Sequence, residues 1–220
     1  MRQFPLPLLF ALLLPIGSAW AVEDVSKVNG SIKAEAGQAY GDLETVNGSI
    51  RVGAGATTHS IETVNGGIDI EEGARTGSVS TVNGKITLGP RVTTGGNVET
   101  VNGSIFADRG SQIEGGVETV NGGIGLVETR LRNSIKTVNG DITVGIGSQV
   151  EGGIHIEKPN FGISFNAPRK PRVIIGPKAS VAGELKFERD VVLYVHRTAT
   201  IGPVSGAQAV PFDTDTAPAD

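Results

Sequence analysis

The sequence predicts an all-β fold: a right-handed parallel β-helix, or β-solenoid, of about 18–19 residues per coil and roughly nine to ten coils. Three observations predict it. Val-Asn-Gly occurs seven times, with asparagines at 29, 47, 65, 83, 102, 121 and 139, so the spacing is 18 or 19 residues throughout. Around each copy, apolar and polar residues alternate, as in Ile68-Asp69-Ile70, the period-2 mark of a half-buried strand. The composition is rich in glycine (32 residues) and poor in aromatics (5%), which suits a thin core reached through many tight turns.

Taken in chain order, the first segment is an export signal. Arg2 precedes an apolar run from Phe4 to Ile16, and Ala19-Trp20-Ala21 supplies small residues for cleavage after Ala21. The run is too short, and too broken by Pro5, Pro7 and Pro15, to span a bilayer. No later segment is apolar enough to do so, and the expected compartment is the periplasm or the exterior. The domain reading is therefore 1–21 signal peptide, 22–206 one solenoid with an inserted loop at 157–171, and 207–220 a disordered tail. The chain has no cysteine, so stability rests on packing and backbone hydrogen bonds. Its net charge of −4 argues against nucleic acid as a partner.

Each coil reads apolar-x-Thr-Val-Asn-Gly-x-Ile-x-apolar, then a glycine-rich stretch. Thr precedes Val-Asn-Gly in six of the seven copies, and Ile follows each Asn by three residues. Asn-Gly alone would fit an antiparallel hairpin, since both residues tolerate positive φ. The constant period fits better with one turn of a three-sided coil, about six residues per side. Three inward columns follow. One runs Ile32, Ile50, Ile68, Ile86, Ile105, Ile124 and Ile142, with apolar partners two residues on; a second runs Leu43, Ile61, Val79, Val98, Val117 and Ile135. A looser third comprises Ala39, Val92, Ile113, Leu131 and Val150.

Asn29, Asn47, Asn65, Asn83, Asn102, Asn121 and Asn139 have two readings. One is a structural ladder of stacked amides at a corner. The other is an outward Thr-x-Asn array that orders water or meets a flat surface, as threonines do in ice-binding solenoids. The Val before each Asn is either buried at that corner or forms an exposed apolar stripe. Glu44, Glu62, Glu99 and Glu118, with Ser80 and Lys136 in register, form an outward column. It reads as a solvated face or, alternatively, as a divalent-cation site, although the calcium nonapeptide signature is absent.

After Gly140 the coils lose Val-Asn-Gly. The segment 157–171 carries Pro159, Pro168 and Pro171 and reads as a projecting loop. Its Lys158, Phe161, Phe165, Arg169 and Lys170 are the candidate binding residues, suited to an acidic glycan or a protein. Coils resume from Val173, and Phe187, Leu193 and Tyr194 are expected to cap the open end.

The Glu-Thr-Val-Asn-Gly-x-Ile units resemble the repeats of a bacterial adhesin-type β-solenoid family. The segment Ile175-Gly176-Pro177-Lys178-Ala179-Ser180-Val181-Ala182-Gly183-Glu184-Leu185 is similar to the coils of bactofilins, the polymer-forming proteins. The resemblance implies a parallel β-helix and, from bactofilins, end-to-end polymerisation. Bactofilins are cytoplasmic, and the signal peptide departs from that pattern.

No catalytic signature is present: there is no cysteine nucleophile, G-x-S-x-G elbow, Walker loop or H-E-x-x-H. His59, His155 and His196 are dispersed and expected at the surface. No catalytic residue, metal site or cofactor is expected. The expected function is a non-enzymatic envelope scaffold, self-associating or adhesin-like, with an envelope protein or glycan as partner. The alternatives are a carbohydrate or cell-wall binding module and a carbohydrate-active β-helix enzyme.

Overall fold

The computed structural model describes residues 22–159, 169–214 and 216–218. The signal segment and the loop residues Phe161 and Phe165 lie outside the described residues. The chain forms a parallel β-solenoid of about ten turns with no helix among the described residues. Its strands stack in three sheets of ten, ten and seven strands, all pairings parallel, called here sheets A, B and C.

Sheet A carries the repeat itself, in strands such as Tyr40–Asn47, Ile61–Asn65 and Val98–Asn102. Sheet B follows after the Asn-Gly corner, in strands such as Ile50–Val52 and Ile68–Ile70. Sheet C is made of two-residue strands, from Arg75–Thr76 to Thr200–Ile201. Equivalent residues sit side by side, Leu43 on Ile61 on Val79 in sheet A and Ile50 on Ile68 on Ile86 in sheet B. Both predicted columns in these sheets are fully buried, with exposures of 0–2%. Stacked β-branched side chains fill a pleated interior well, and no coil could cover its own apolar face alone.

The third column differs from expectation. Ala39 is exposed and pairs with Thr57, which pairs with Arg75, an outward position. Val92 is buried, but Thr93 pairs with Gln112, so Val92 stacks with the small residues Ala74 and Ser111 instead. The true inward column of sheet C runs Thr76, Thr94, Ile113, Leu131, Val150, Val181. Two-residue strands carry too little alternation for sequence to choose between neighbours.

The glycine of Val-Asn-Gly also has a different reason from the one expected. Of the seven, only Gly30 (φ 111°) and Gly122 (φ 156°) have positive φ. At Gly66 and Gly84 a Cβ would lie 2.0 and 1.9 Å from the carbonyl oxygen of the glycine one coil earlier. Close stacking of corner backbones, rather than turn conformation, excludes a side chain there.

The C-terminal end departs from expectation twice. Residues 209–212, assigned to a disordered tail, form the strand Ala209–Phe212 paired with Val192–His196. Tyr194 does not cap the end: it stands in the outward column of sheet B, beside Ile174, with the Arg172 guanidinium 5.4 Å from its ring centre. Phe187 and Leu193 do enter the core. Phe212 is buried in the last coil, edge-on to His196 at 5.1 Å.

Candidate functional site

The outer face of sheet A carries the most developed surface feature of the molecule. In each strand alternation sends the first apolar residue in, Glu out, Thr in and Val out, for example Ile61-Glu62-Thr63-Val64. Thr45, Thr63, Thr81, Thr100 and Thr119 are each 4% exposed, and each Oγ1 donates to the carbonyl of a glycine in the preceding coil at 2.9–3.1 Å. This bond holds the corner, and it obliges the next residue to face water. Val46, Val64, Val82, Val101 and Val120 are accordingly 39–41% exposed. The position left open by sequence is thus an exposed apolar ridge.

The Val ridge and the Glu column run parallel along the solenoid, two residues apart in every strand. Between them lies a groove of about 570 Å³ reaching from Ser26 and Lys27 to Val138 and Glu157. At about 4.8 Å per coil, the six exposed valines from Val28 to Val120 span roughly 24 Å. A continuous exposed apolar ridge of that length marks an interaction surface.

The groove has electrical polarity. In register order the outward column reads Ser26, Glu44, Glu62, Ser80, Glu99, Glu118, Lys136, His155, Lys186. Its carboxylates, from Glu44 to Glu118, lie in the first coils and its lysines, Lys136 and Lys186, in the last, where Glu157 also lines the groove. Where the signs meet, Lys136 Nζ lies 2.8 Å from Glu118, and that hydrogen bond is the main reason its pKa is raised. Glu188 is held below the usual carboxylate range, first by Lys186 at 2.9 Å and next by the backbone of Lys158.

The asparagines line the corner beside the Val ridge. Each Nδ2 donates to the Oδ1 one coil earlier, from Asn47 to Asn29 through to Asn139 to Asn121, at 2.9–3.0 Å. The amides therefore align head to tail, and such chains strengthen one another by polarisation. The carbonyl end is closed by Arg189, whose Nη1 donates to Asn139 Oδ1 at 2.6 Å and to Val138 O at 3.0 Å. Nothing in the repeat pointed to Arg189, which lies 50 residues beyond Asn139.

The insertion begins at this corner. Ile156 takes the register of Thr137, so Glu157 and Lys158 follow where Val and Asn would stand. Two of its candidate binding cations are already engaged at its base: Arg169 pairs with Asp141 at 2.8 Å and Lys170 with Asp190 at 3.0 Å. Lys158 is exposed. Of the histidines, His59 is exposed and 3.3 Å from Asp42, and His155 is half-buried in the outward column. His196 is buried rather than at the surface, with Nδ1 2.8 Å from Thr198 Oγ1. Among the described residues no group of three or more His, Asp or Glu could hold a metal ion.

Both ends of the stack carry features that discourage strand addition. In the first strand, Glu23–Asn29, Lys27 stands in the register of the threonines but is exposed, its Nζ donating to Ser31 O at 2.8 Å. A charged side chain, lysine above all, on an edge strand deters a further strand from pairing. At the other end Pro203 precedes the edge strand Val204–Ser205, and Pro211 lies within Ala209–Phe212. Proline removes a ladder donor and is a common edge device. No helix among the described residues is long and apolar enough to cross a membrane. Comparison of the chain with protein-family profiles, with curated proteins and with solved structures finds no match.

Proposed function

We propose that this protein is an exported, non-enzymatic scaffold of the bacterial envelope that works through the outer face of sheet A. The observation that carries the reading is the exposed Val ridge beside the outward Glu column, repeated in register over six coils from Val28 to Val120. A rigid stack that leaves such a ridge in water is suited to holding another extended surface, in self-association or adhesion. The edge devices at both ends favour the lateral face over end-to-end polymerisation of the bactofilin kind. Periplasmic or secreted placement follows from the leader ending at Ala21.

The glycan-binding alternative, centred on 157–171, is less well supported, because Arg169 and Lys170 are neutralised by Asp141 and Asp190. Sedimentation of the chain from Val22 onward, alone and with envelope extract, tests the scaffold reading. The expected result is a concentration-dependent heavier species. A strict monomer under both conditions removes the support for a scaffold.

A further inference from the structure

We propose that the outer face of sheet A is a homodimer interface, on which a second copy of this chain docks face to face with its long axis antiparallel. This rests on the scaffold reading and adds to it a partner and a geometry.

The first argument is periodicity. A ridge with one Val per coil repeats at about 4.8 Å, and a second copy presents the same repeat. Ridge can then meet ridge over the five coils from Val64 to Val138 in register.

The second is charge. An in-plane two-fold axis perpendicular to the solenoid keeps the outward column over its own counterpart but reverses its direction. With the axis at the Glu99 strand, Glu62 faces the second copy's Lys136, which thereby gains a carboxylate besides its own Glu118, and Glu44 faces its His155. Val64 faces Val138, Val82 faces Val120, and Val101 meets itself, while at the two rims Val46 and Val28 lie over the second copy's Glu157 and Glu188, both at the solvated edge. Glu99 also meets itself, but its Oε1 is drawn along its own coil by the Asn97 amide at 2.9 Å. A two-fold axis parallel to the solenoid does worse. It lays each carboxylate over valines and removes it from water without a counter-charge.

The third is area. The nine strands that overlap, at about 4.8 Å each and about 16 Å wide in the repeat coils but about 10 Å in the three-residue strands, offer roughly 600 Å² per copy. That is about 1,200 Å² in total, at the lower end of the range of specific interfaces. Isologous contacts of this kind close on themselves and produce dimers rather than filaments.

The test uses the chain Val22–Asp220, which contains every described residue. Sedimentation and small-angle scattering are expected to show a monomer–dimer equilibrium in which the particle thickens rather than lengthens. Val101→Lys is expected to weaken the dimer at least tenfold with unchanged far-ultraviolet circular dichroism. Glu62→Lys and Lys136→Glu should each weaken it, and the double variant should recover it. Because the chain has no cysteine, single introduced cysteines report geometry with a short bismaleimide. Val101→Cys should cross-link to itself, and Val64→Cys should cross-link only when mixed with Val138→Cys. Self-cross-linking of Val64→Cys overturns the antiparallel arrangement. An elongated oligomer indifferent to Val101→Lys overturns this interface but leaves the scaffold reading standing. A monomer at every concentration, with and without envelope extract, overturns both.

Discussion

The coils before Thr94 and those after it close the same corner with different chemistry. In the first group the inward position at the sheet C corner is Thr58, Thr76 and Thr94, all buried, with hydroxyls that find no partner among the described residues. In the second it is Ile113, Leu131, Val150 and Val181, exposed by 0–1%. The Val-Asn-Gly corner shows the reverse trend. It is regular from Thr45 to Thr119, begins to fail at Thr137, whose Oγ1 also lacks a partner, and is replaced by Glu157-Lys158 and the insertion. The difference teaches that a coil need not be ideal at every corner. The early coils combine the amide ladder with a polar inner corner, the middle coils at Ile113 and Leu131 combine the same ladder with an apolar one, and the last coils keep the apolar corner without the ladder.

The comparison can be broken most sharply by making a late coil resemble an early one. Leu131→Thr removes apolar burial and adds an unpaired hydroxyl, so a loss of about 3 kcal/mol is expected in urea unfolding. Gly84→Ala attacks the regular corner, placing Cβ 1.9 Å from the Gly66 carbonyl. It should cost about 2–3 kcal/mol, as overpacking does. Gly95→Ala, whose nearest neighbour would be the Thr76 carbonyl at 3.7 Å, is the control with little effect.

Two smaller changes sharpen the contrast. Thr94→Val makes an early coil resemble a late one by removing an unpaired buried hydroxyl, and it should stabilise by about 1 kcal/mol. Asn83→Ala cuts the ladder in the middle, removing its bonds to Asn65 and Asn102. It should cost about 1 kcal/mol, with hydrogen exchange rising first in the flanking coils. The smallest expected effect is electrostatic. Lys136 has its pKa raised above 10.5 by Glu118, so this contribution is complete below 10.5 and disappears as pH rises through the folded-state value. An NMR titration of the Lys136 side chain should place its midpoint above that of an exposed lysine.

Much of this architecture was legible in the sequence. The 18–19-residue period set the coil, and alternation within Ile-x-Ile and Leu-x-Thr placed two inward columns correctly. The third was misread at Ala39 and Val92 because two-residue strands leave alternation without a second cycle to check it. The first repeat already carried a readable anomaly, Lys27 in a threonine position, whose sense as an edge device needed the strand register. Arg189 was not legible, since closing the ladder from 50 residues away leaves no local pattern.

Sequence by itself determined the coil length, the strand pairing and the asparagine column, because a fixed period puts identical residues beside one another in any regular stack. Only the tertiary structure decided that the valines face water, that His155 and Lys186 continue the Glu column beyond Lys136, and that glycine is required by the carbonyl one coil away. Those outcomes depend on where the chain bends and on what the neighbouring coil presents at that bend. From Thr45 to Thr119, a hydroxyl reaching back to the previous coil's carbonyl holds the threonine inward, and the valine after it faces out.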